Sequence, residues 1–223
     1  MTMDMPKNVD TAINLLQSAG FEAYAVGGCV RDSLLGKIPN DWDITTSAKP
    51  EDMKSVFADF HCIDTGIKHG TVTVVIDGEP LEITTFRLDG EYEDNRHPKS
   101  VTFTSNLGAD LGRRDFTVNA MAYSKKTGTV DLFGGQNDLK NKIIRCVGDP
   151  DRRFNEDALR ILRALRFASA LDFEIEEKTR AEPFEKPRSA RKYFRRAHSK
   201  RAVKARLRKR RKANSNGLCP GAV

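Results

Sequence analysis

The sequence predicts an α+β fold: a short mixed or antiparallel sheet with helices packed over it, followed from near Pro150 by the start of a helical region. Three observations predict it. Helix-patterned and β-rich stretches alternate through the first sixty residues. "TVTVVIDGEPLEITTFRL" sets two β-rich runs either side of Asp77-Gly78, a strong hairpin signal. "DPDRRFNEDALRILRALRFASAL" carries the apolar spacing of an amphipathic helix.

The elements follow in chain order. "KNVDTAINLLQSAGF" spaces Val9, Ile13, Leu15 and Leu16 as one helical face, with Gly20 suited to the position just past the helix end. "EAYAVGG" reads as a strand ending at two glycines, and "CVRDSLLG" as a helix closing on Gly36. "NDWDITT" reads as a strand that sets Asp41 and Asp43 on one face, and a helix follows from Pro50 to Phe57. After the hairpin, residues 89–112 are polar, Gly-containing and poorly periodic, which predicts a long mobile loop of functional length. "RRDFTVNAMAY" reads as a helix beginning near Asp115, which would cap it, and "GTVDLFGGQNDLKNKIIRCVG" as short strands and turns. In the last helix Phe154, Ala158, Ile161, Leu162 and Leu165 share one face, and Glu156, Asp157, Arg160 and Arg163 project from the other.

A chain of 223 residues is long enough for one good core and a second small lobe. No apolar run approaches a membrane span, so a soluble, cytoplasmic protein with no membrane partner is expected. Cys29, Cys62, Cys146 and Cys219 lie far apart without a C-x-x-C, which suggests neither a zinc site nor a disulfide framework. The net charge of +7 averages two unlike regions. Fifteen of the 38 Lys and Arg fall between Lys186 and Lys212, and no acid follows Glu185, so residues 1–185 keep 23 bases against 31 acids and carry −8. The basic stretch has little apolar periodicity and reads as disordered or transiently helical. Either it is an arm that binds RNA by counterion release, or it marks a disrupted reading frame with no evolved role.

In an extended chain the side chains of Asp41 and Asp43 point the same way, about 6.6 Å apart. At that separation, with an effective dielectric near 20, they repel by roughly 2–3 kcal/mol. Either water screens them at a strand end, or a cation sits between them. Gly27-Gly28 ends a strand where a helix starts; such a pair is often a tight turn, and it also lets backbone amides approach a phosphate. A phosphate cradle beside a carboxylate pair is what a magnesium–nucleotide complex requires, since Mg²⁺ binds through one or two carboxylates plus substrate phosphates. Two such ions about 3.5–4 Å apart activate an attacking hydroxyl and stabilise departing pyrophosphate. Glu82 is either a third acid for this site or an outward-facing strand residue.

"AVGGCVRDSLLG" with "NDWDITT" resembles the signature of the class II nucleotidyltransferases, the family of bacterial tRNA CCA-adding enzymes and poly(A) polymerases. "TGIKHGTVTVV", "EITTFRLDGEYEDNRHP", "GRRDFTVNAMAY" and "RRFNEDALRILRALRF" are similar to its further motifs, in the family's order, and the likeness runs from about Gly20 to Glu177. The resemblance implies a polymerase β-like nucleotidyltransferase head over 1–148 and the start of an all-α neck for nucleotide recognition over 149–180; residues 181–223 are left as the basic tail that their composition marks as disordered. It implies that Gly28 and Arg31 hold the triphosphate, that Asp41 and Asp43 are catalytic and bind Mg²⁺, and that Arg114 contacts the nucleotide. It assigns base recognition to Asp157, Arg160, Arg163 and Arg166.

Chemistry supports the last assignment, because an aspartate accepts from an exocyclic amino group and an arginine donates to a ring nitrogen. Cytosine and adenine both offer that pair, so such a site takes CTP and ATP and leaves mismatched groups unpaired with UTP or GTP. A solvated helix face with Glu–Arg pairs at i,i+4 is the plainer alternative. The implied activity is template-independent addition of CMP and AMP to the 3′ end of tRNA. CC-only, A-only and poly(A) addition are close alternatives. Because the match stops soon after Phe173, before the family's body and tail domains, a silent RNA- or nucleotide-binding fragment is another.

Overall fold

A computed structural model describes residues 3–90, 92–93, 97–98 and 100–180. The basic stretch 181–223, whether arm or frame-disrupted end, lies outside the described residues. Helix α1 (Lys7–Ser18) buries Val9, Ala12, Ile13 and Leu16, and strand β1 (Ala23–Val26) follows it. Helix α2 (Gly28–Leu34) starts directly from the glycine pair, and β2 (Ile44–Thr46) returns beside β1. In α3 (Pro50–Val56) Pro50 occupies the first turn, where its missing N–H costs nothing, and Asp52 accepts from Lys49 N at 3.1 Å. A meander of β3 (His61–Gly66), β4 (Thr71–Ile76) and β5 (Glu79–Thr85) comes next. Its second turn places Asp77 and Gly78 at φ 54° and 82°, the left-handed pair that a tight hairpin needs.

Short strands β6 (Arg87–Asp89), β7 (Tyr92–Glu93), β8 (His97–Pro98) and β9 (Val101–Phe103) pair as β6–β9 and β7–β8. Helix α4 (Leu107–Gly112), strands β10 (Met121–Ser124) and β11 (Gly128–Asp131), helix α5 (Gly135–Lys140) and strand β12 (Ile143–Ile144) follow. Helices α6 (Pro150–Glu156) and α7 (Leu159–Leu171) lead to β13 (Glu174–Ile175), which pairs parallel to β12. Met1–Arg180 forms one compact unit.

Among the described residues the main sheet has seven strands in the order β11-β10-β1-β2-β5-β4-β3. Only β2 and β5 run parallel, so the sheet is mixed. β1 is buried on both faces: Ala23 and Ala25 join the main core under α1, α2 and α3, while Tyr24 and Val26 join a smaller cluster with Leu111 of α4. Side-chain alternation then sorts the neighbouring strands. Ile44 and Ile83 face the main core, so Thr45 and Glu82 face the α4 side.

Four expectations are corrected. Residues 89–112 are not a structureless loop, because β6 pairs with β9 and α4 follows; residues 91, 94–96 and 99 lie outside the described ones. "RRDFTVNAMAY" is not a helix: Thr117–Asn119 makes a single 3-10 turn, and Met121–Ser124 is a sheet strand buried on both faces. A short all-apolar run has no period by which to distinguish the two. Within "GTVDLFGGQNDLK" the last residues form α5 instead of a turn. The last helix breaks at Asp157, whose backbone is extended (φ −142°, ψ 102°) and whose carboxylate accepts from Leu159 N at 2.9 Å. The break shifts the phase of α7. Ile161, Ala164 and Phe167 turn inward, Leu165 is 38% exposed, and Arg160, expected to face outward, is 7% exposed.

Candidate functional site

Asp41 and Asp43 precede β2 and do not lie within it, which corrects their placement on a strand. The ladder nevertheless continues one step past the strand end, where Val26 N donates to Asp43 O at 3.0 Å. Asp43 therefore keeps the alternation and faces the α4 side with Thr45. Extending the parallel register of Ile44 with Ile83 sets Asp43 beside Glu82. Trp42 faces the other way and packs on the main core.

The Asp43 carboxyl is pushed above the usual carboxylate range, first by crowding against protein, then by the negative charge of Asp41, with Glu82 adding to it and Arg114 opposing. Asp43 thus senses two acids and one arginine. Asp41, Asp43 and Glu82 also line one cleft of about 550 Å³. Among the described residues no three His, Cys, Asp or Glu side chains form a group that holds a metal ion unaided. An all-carboxylate donor set with excess negative charge still fits a hard cation such as Mg²⁺, which completes its shell with water and substrate phosphates.

Gly27 caps α2 at φ 84°, ψ −124°, a conformation open essentially to glycine alone. Its missing side chain also makes room: a Cβ there would stand 3.2 Å from Arg114 Nη1. Gly27→Ala is expected to cost about 1–3 kcal/mol of stability through backbone strain and to displace Arg114. Thermal melting of that variant measures the strain, and a melting temperature equal to the native chain's would show that the bend accepts a side chain.

Arg114 follows α4, where the chain bends toward the glycine turn. Burial lowers its pKa, and the charges of Asp110 and Asp43 oppose that shift. Its Nη2 lies 3.4 Å from Asp110 Oδ2, and its Nε is buried without a hydrogen-bond partner among the described residues. Asp115 caps no helix; it accepts from Phe116 N at 2.9 Å and from Asn119 Nδ2 at 3.3 Å.

Arg31 is buried rather than held out at the turn. Its guanidinium forms two bonds with Asp32, at 2.8 and 2.9 Å, and donates to Asn119 Oδ1 at 2.7 Å. Arg163 donates to Asp115 Oδ2 at 2.5 Å. The guanidiniums of Arg31, Arg163 and Arg166 lie 5.2, 5.2 and 4.9 Å from the centre of the Phe167 ring. Arg160 donates to Glu156 at 2.9 Å and to the carbonyls of Arg153 and Arg113, which fixes its guanidinium near the break at Asp157.

Two groupings emerge. Gly27, Asp43, Glu82 and Arg114 gather at the end of β1 and β2, and Arg31 joins Arg163 and Arg166 around Phe167. Asp110, Asn119 and Phe167, which support these groups, were not singled out by the sequence. Asp110 lies three and four residues before Arg113 and Arg114, and Asn119 and Phe167 lie inside the two motifs "GRRDFTVNAMAY" and "RRFNEDALRILRALRF" without a role being read for them.

Residues 23–145 match the family described as the poly(A) polymerase head domain. A CCA-adding enzyme of Lactobacillus helveticus is 59% identical over 167 residues, covering 75% of this chain and 41% of that protein. The crystal structure of the Bacillus stearothermophilus CCA-adding enzyme with CTP superposes with a TM-score of 0.71 at 46% identity, over 78% of this chain and 42% of that one. The Thermotoga maritima CCA-adding enzyme complexed with tRNA gives 0.60 at 30% identity, over 77% and 39%. The chain thus spans about two fifths of the length of the curated relatives it matches.

Proposed function

This chain belongs to the poly(A) polymerase head-domain family, and on that premise we propose that it transfers CMP and AMP from CTP and ATP to the 3′ end of tRNA, in the cytoplasm, with Mg²⁺. The observation that carries the reading is that Asp41, Asp43 and Glu82 line one cleft, with Glu82 level with Asp43 in the parallel register, beside a turn whose conformation favours glycine. Such charge is unfavourable unless a cation joins it. The similarity to CCA-adding enzymes, one solved with CTP and one with tRNA, supports the choice of substrates.

In this reading Asp41 and Asp43 hold the metal. When bound, Mg²⁺ neutralises phosphate charge and favours ionisation of the attacking hydroxyl. The chain's own groups position the reactants. The turn at Gly28 approaches the triphosphate, and Arg114, packed against Gly27, supplies a cation beside it. The RNA 3′-oxygen gives its proton to solvent and bonds to the α-phosphorus as the bond from that phosphorus to the β-phosphate oxygen breaks, and pyrophosphate leaves in line. Asp157 and Arg160, fixed at the helix break, read the amino group and ring nitrogen shared by cytosine and adenine. Arg163 and Arg166 extend the positive surface toward the nucleotide. Residues 149–180 thereby serve as the recognition part of the unit and 1–148 as its catalytic part.

The test is incorporation of radiolabelled CTP and ATP into tRNA lacking its terminal CCA, alongside binding of all four nucleotides. CTP and ATP are expected to bind at least about tenfold more tightly than UTP and GTP, the lower range for discrimination by buried polar groups. Equal affinity for all four would remove the recognition roles of Asp157 and Arg160, and absence of incorporation would remove the transfer step.

A further inference from the structure

We infer that Asn119 is a positioning residue that couples the arginine of the glycine-turn helix, Arg31, to the arginine of the recognition helix, Arg163; the inference rests on the nucleotide-binding reading of those two side chains. The links form a continuous chain. Arg31 Nη1 donates to Asn119 Oδ1 at 2.7 Å, Asn119 Nδ2 donates to Asp115 Oδ1 at 3.3 Å, and Arg163 Nε donates to Asp115 Oδ2 at 2.5 Å. Phe167 closes the ring, with both guanidiniums 5.2 Å from its centre.

Chemistry limits what position 119 can be. A guanidinium only donates and a carboxylate only accepts, so the residue between them must offer an acceptor to one side and a donor to the other. A side-chain amide does both, and the same requirement fixes which way the amide points. Asn119 is 5% exposed, so no solvent water replaces either bond cheaply. The 3-10 turn at Thr117–Asn119 sets its backbone, and that turn is anchored from outside the site by Thr117 Oγ1, which donates to Asp138 at 2.6 Å. Arg31 and Arg163 come from helices more than a hundred residues apart in sequence. Asp115 compensates Arg163, Asp32 compensates Arg31, and Asn119 joins the two ion pairs without adding charge. A shift of either helix is thereby felt by the other arginine.

The full chain tests this with a double-mutant cycle on CTP affinity, using Arg31→Ala and Arg163→Ala in the native background and again with Asn119→Leu. In the native background the double substitution is expected to weaken binding about tenfold less than the product of the single effects, within the range for coupled neighbours. In the Asn119→Leu background the deviation should shrink at least about threefold, to what the shared contact with Phe167 carries. Asn119→Asp, which keeps the size and the acceptor but loses the donor toward Asp115, serves if the leucine variant does not fold, and is expected to lose the coupling in the same way. Coupling that persists undiminished in a folded variant, or none in the native background, overturns the role of Asn119 while nucleotide binding stands. Failure of the native chain to bind CTP overturns the nucleotide reading and this inference with it.

Discussion

Replacing Asp41 and Asp43 with alanine is expected to reduce nucleotidyl transfer by about a thousandfold or more, since several kcal/mol of charge stabilisation disappear with the metal site. Stability should move the other way. The carboxyl of Asp43 is raised above its ordinary range by burial and by the like charges of Asp41 and Glu82. A group shifted in that direction binds its proton more readily in the folded chain, so the fold loses stability as pH rises through the shifted value. Removing the charge lifts that burden at neutral pH, and the melting temperature of the variant should equal or exceed that of the native chain. Mg²⁺ with CTP should raise the native melting temperature and leave the variant's unchanged, because only a bound ligand stabilises. A variant that melts much earlier than the native chain would make the pair structural, and one that kept its activity would remove it from the chemistry.

The first half of the fold was legible in the sequence because local signals and tertiary demand agree there. Val9, Ile13 and Leu16 repeat with the helical period and are buried, and Asp77-Gly78 makes the left-handed turn that its residue types favour. The second half was less legible because burial on both faces erases periodicity. Met121–Ser124 is covered above and below, so its apolar run looks equally like helix and strand. The break at Asp157 shows a different limit. Asp157 can continue a helix or end one; here it ends α6, and its carboxylate turns to Leu159 N at the start of α7.

Site residues divide along the same line. Asp41 and Asp43 stand out in the sequence because two like charges two residues apart need either water or a cation between them. Arg31 and Arg160 were readable as residues but not as environments. Each is engaged by partners distant in sequence, Asn119 for Arg31 and the Arg113 carbonyl for Arg160, and no local pattern encodes such a meeting. Asn119 lies in a quoted motif, but nothing in one dimension shows its partners. Its contacts exist only once α2 and α7 bring Arg31 and Arg163 together over Phe167.

Asp110→Asn is expected to destabilise the chain by about 3 kcal/mol, near the low end for breaking a buried ion pair, and to weaken nucleotide binding through Arg114. Asp110 is 0% exposed. Its carboxylate accepts from Arg113 Nε at 2.9 Å, from Arg87 N and Thr45 Oγ1 at 3.2 Å, and from Arg114 Nη2 at 3.4 Å. It therefore ties α4 to β2, two residues beyond Asp43, and holds the arginine beside Gly27. Arg113 and Arg114 keep 17% and 21% side-chain exposure, so water recovers part of what they lose, which is why the low end applies. Burial alone would raise the Asp110 carboxyl, but Arg113 and Arg114 outweigh it and hold it below the usual range. A depressed group contributes stability above its unfolded pKa, near 4, and that contribution fades as pH falls through the lower folded value. The gap in melting temperature between native chain and variant should thus be about 6–12 °C at neutral pH and close in acid. A gap that stayed constant from neutral pH into acid would show that the loss comes from shape or hydrogen bonding rather than from the charge that Asp110 sets against the two arginines.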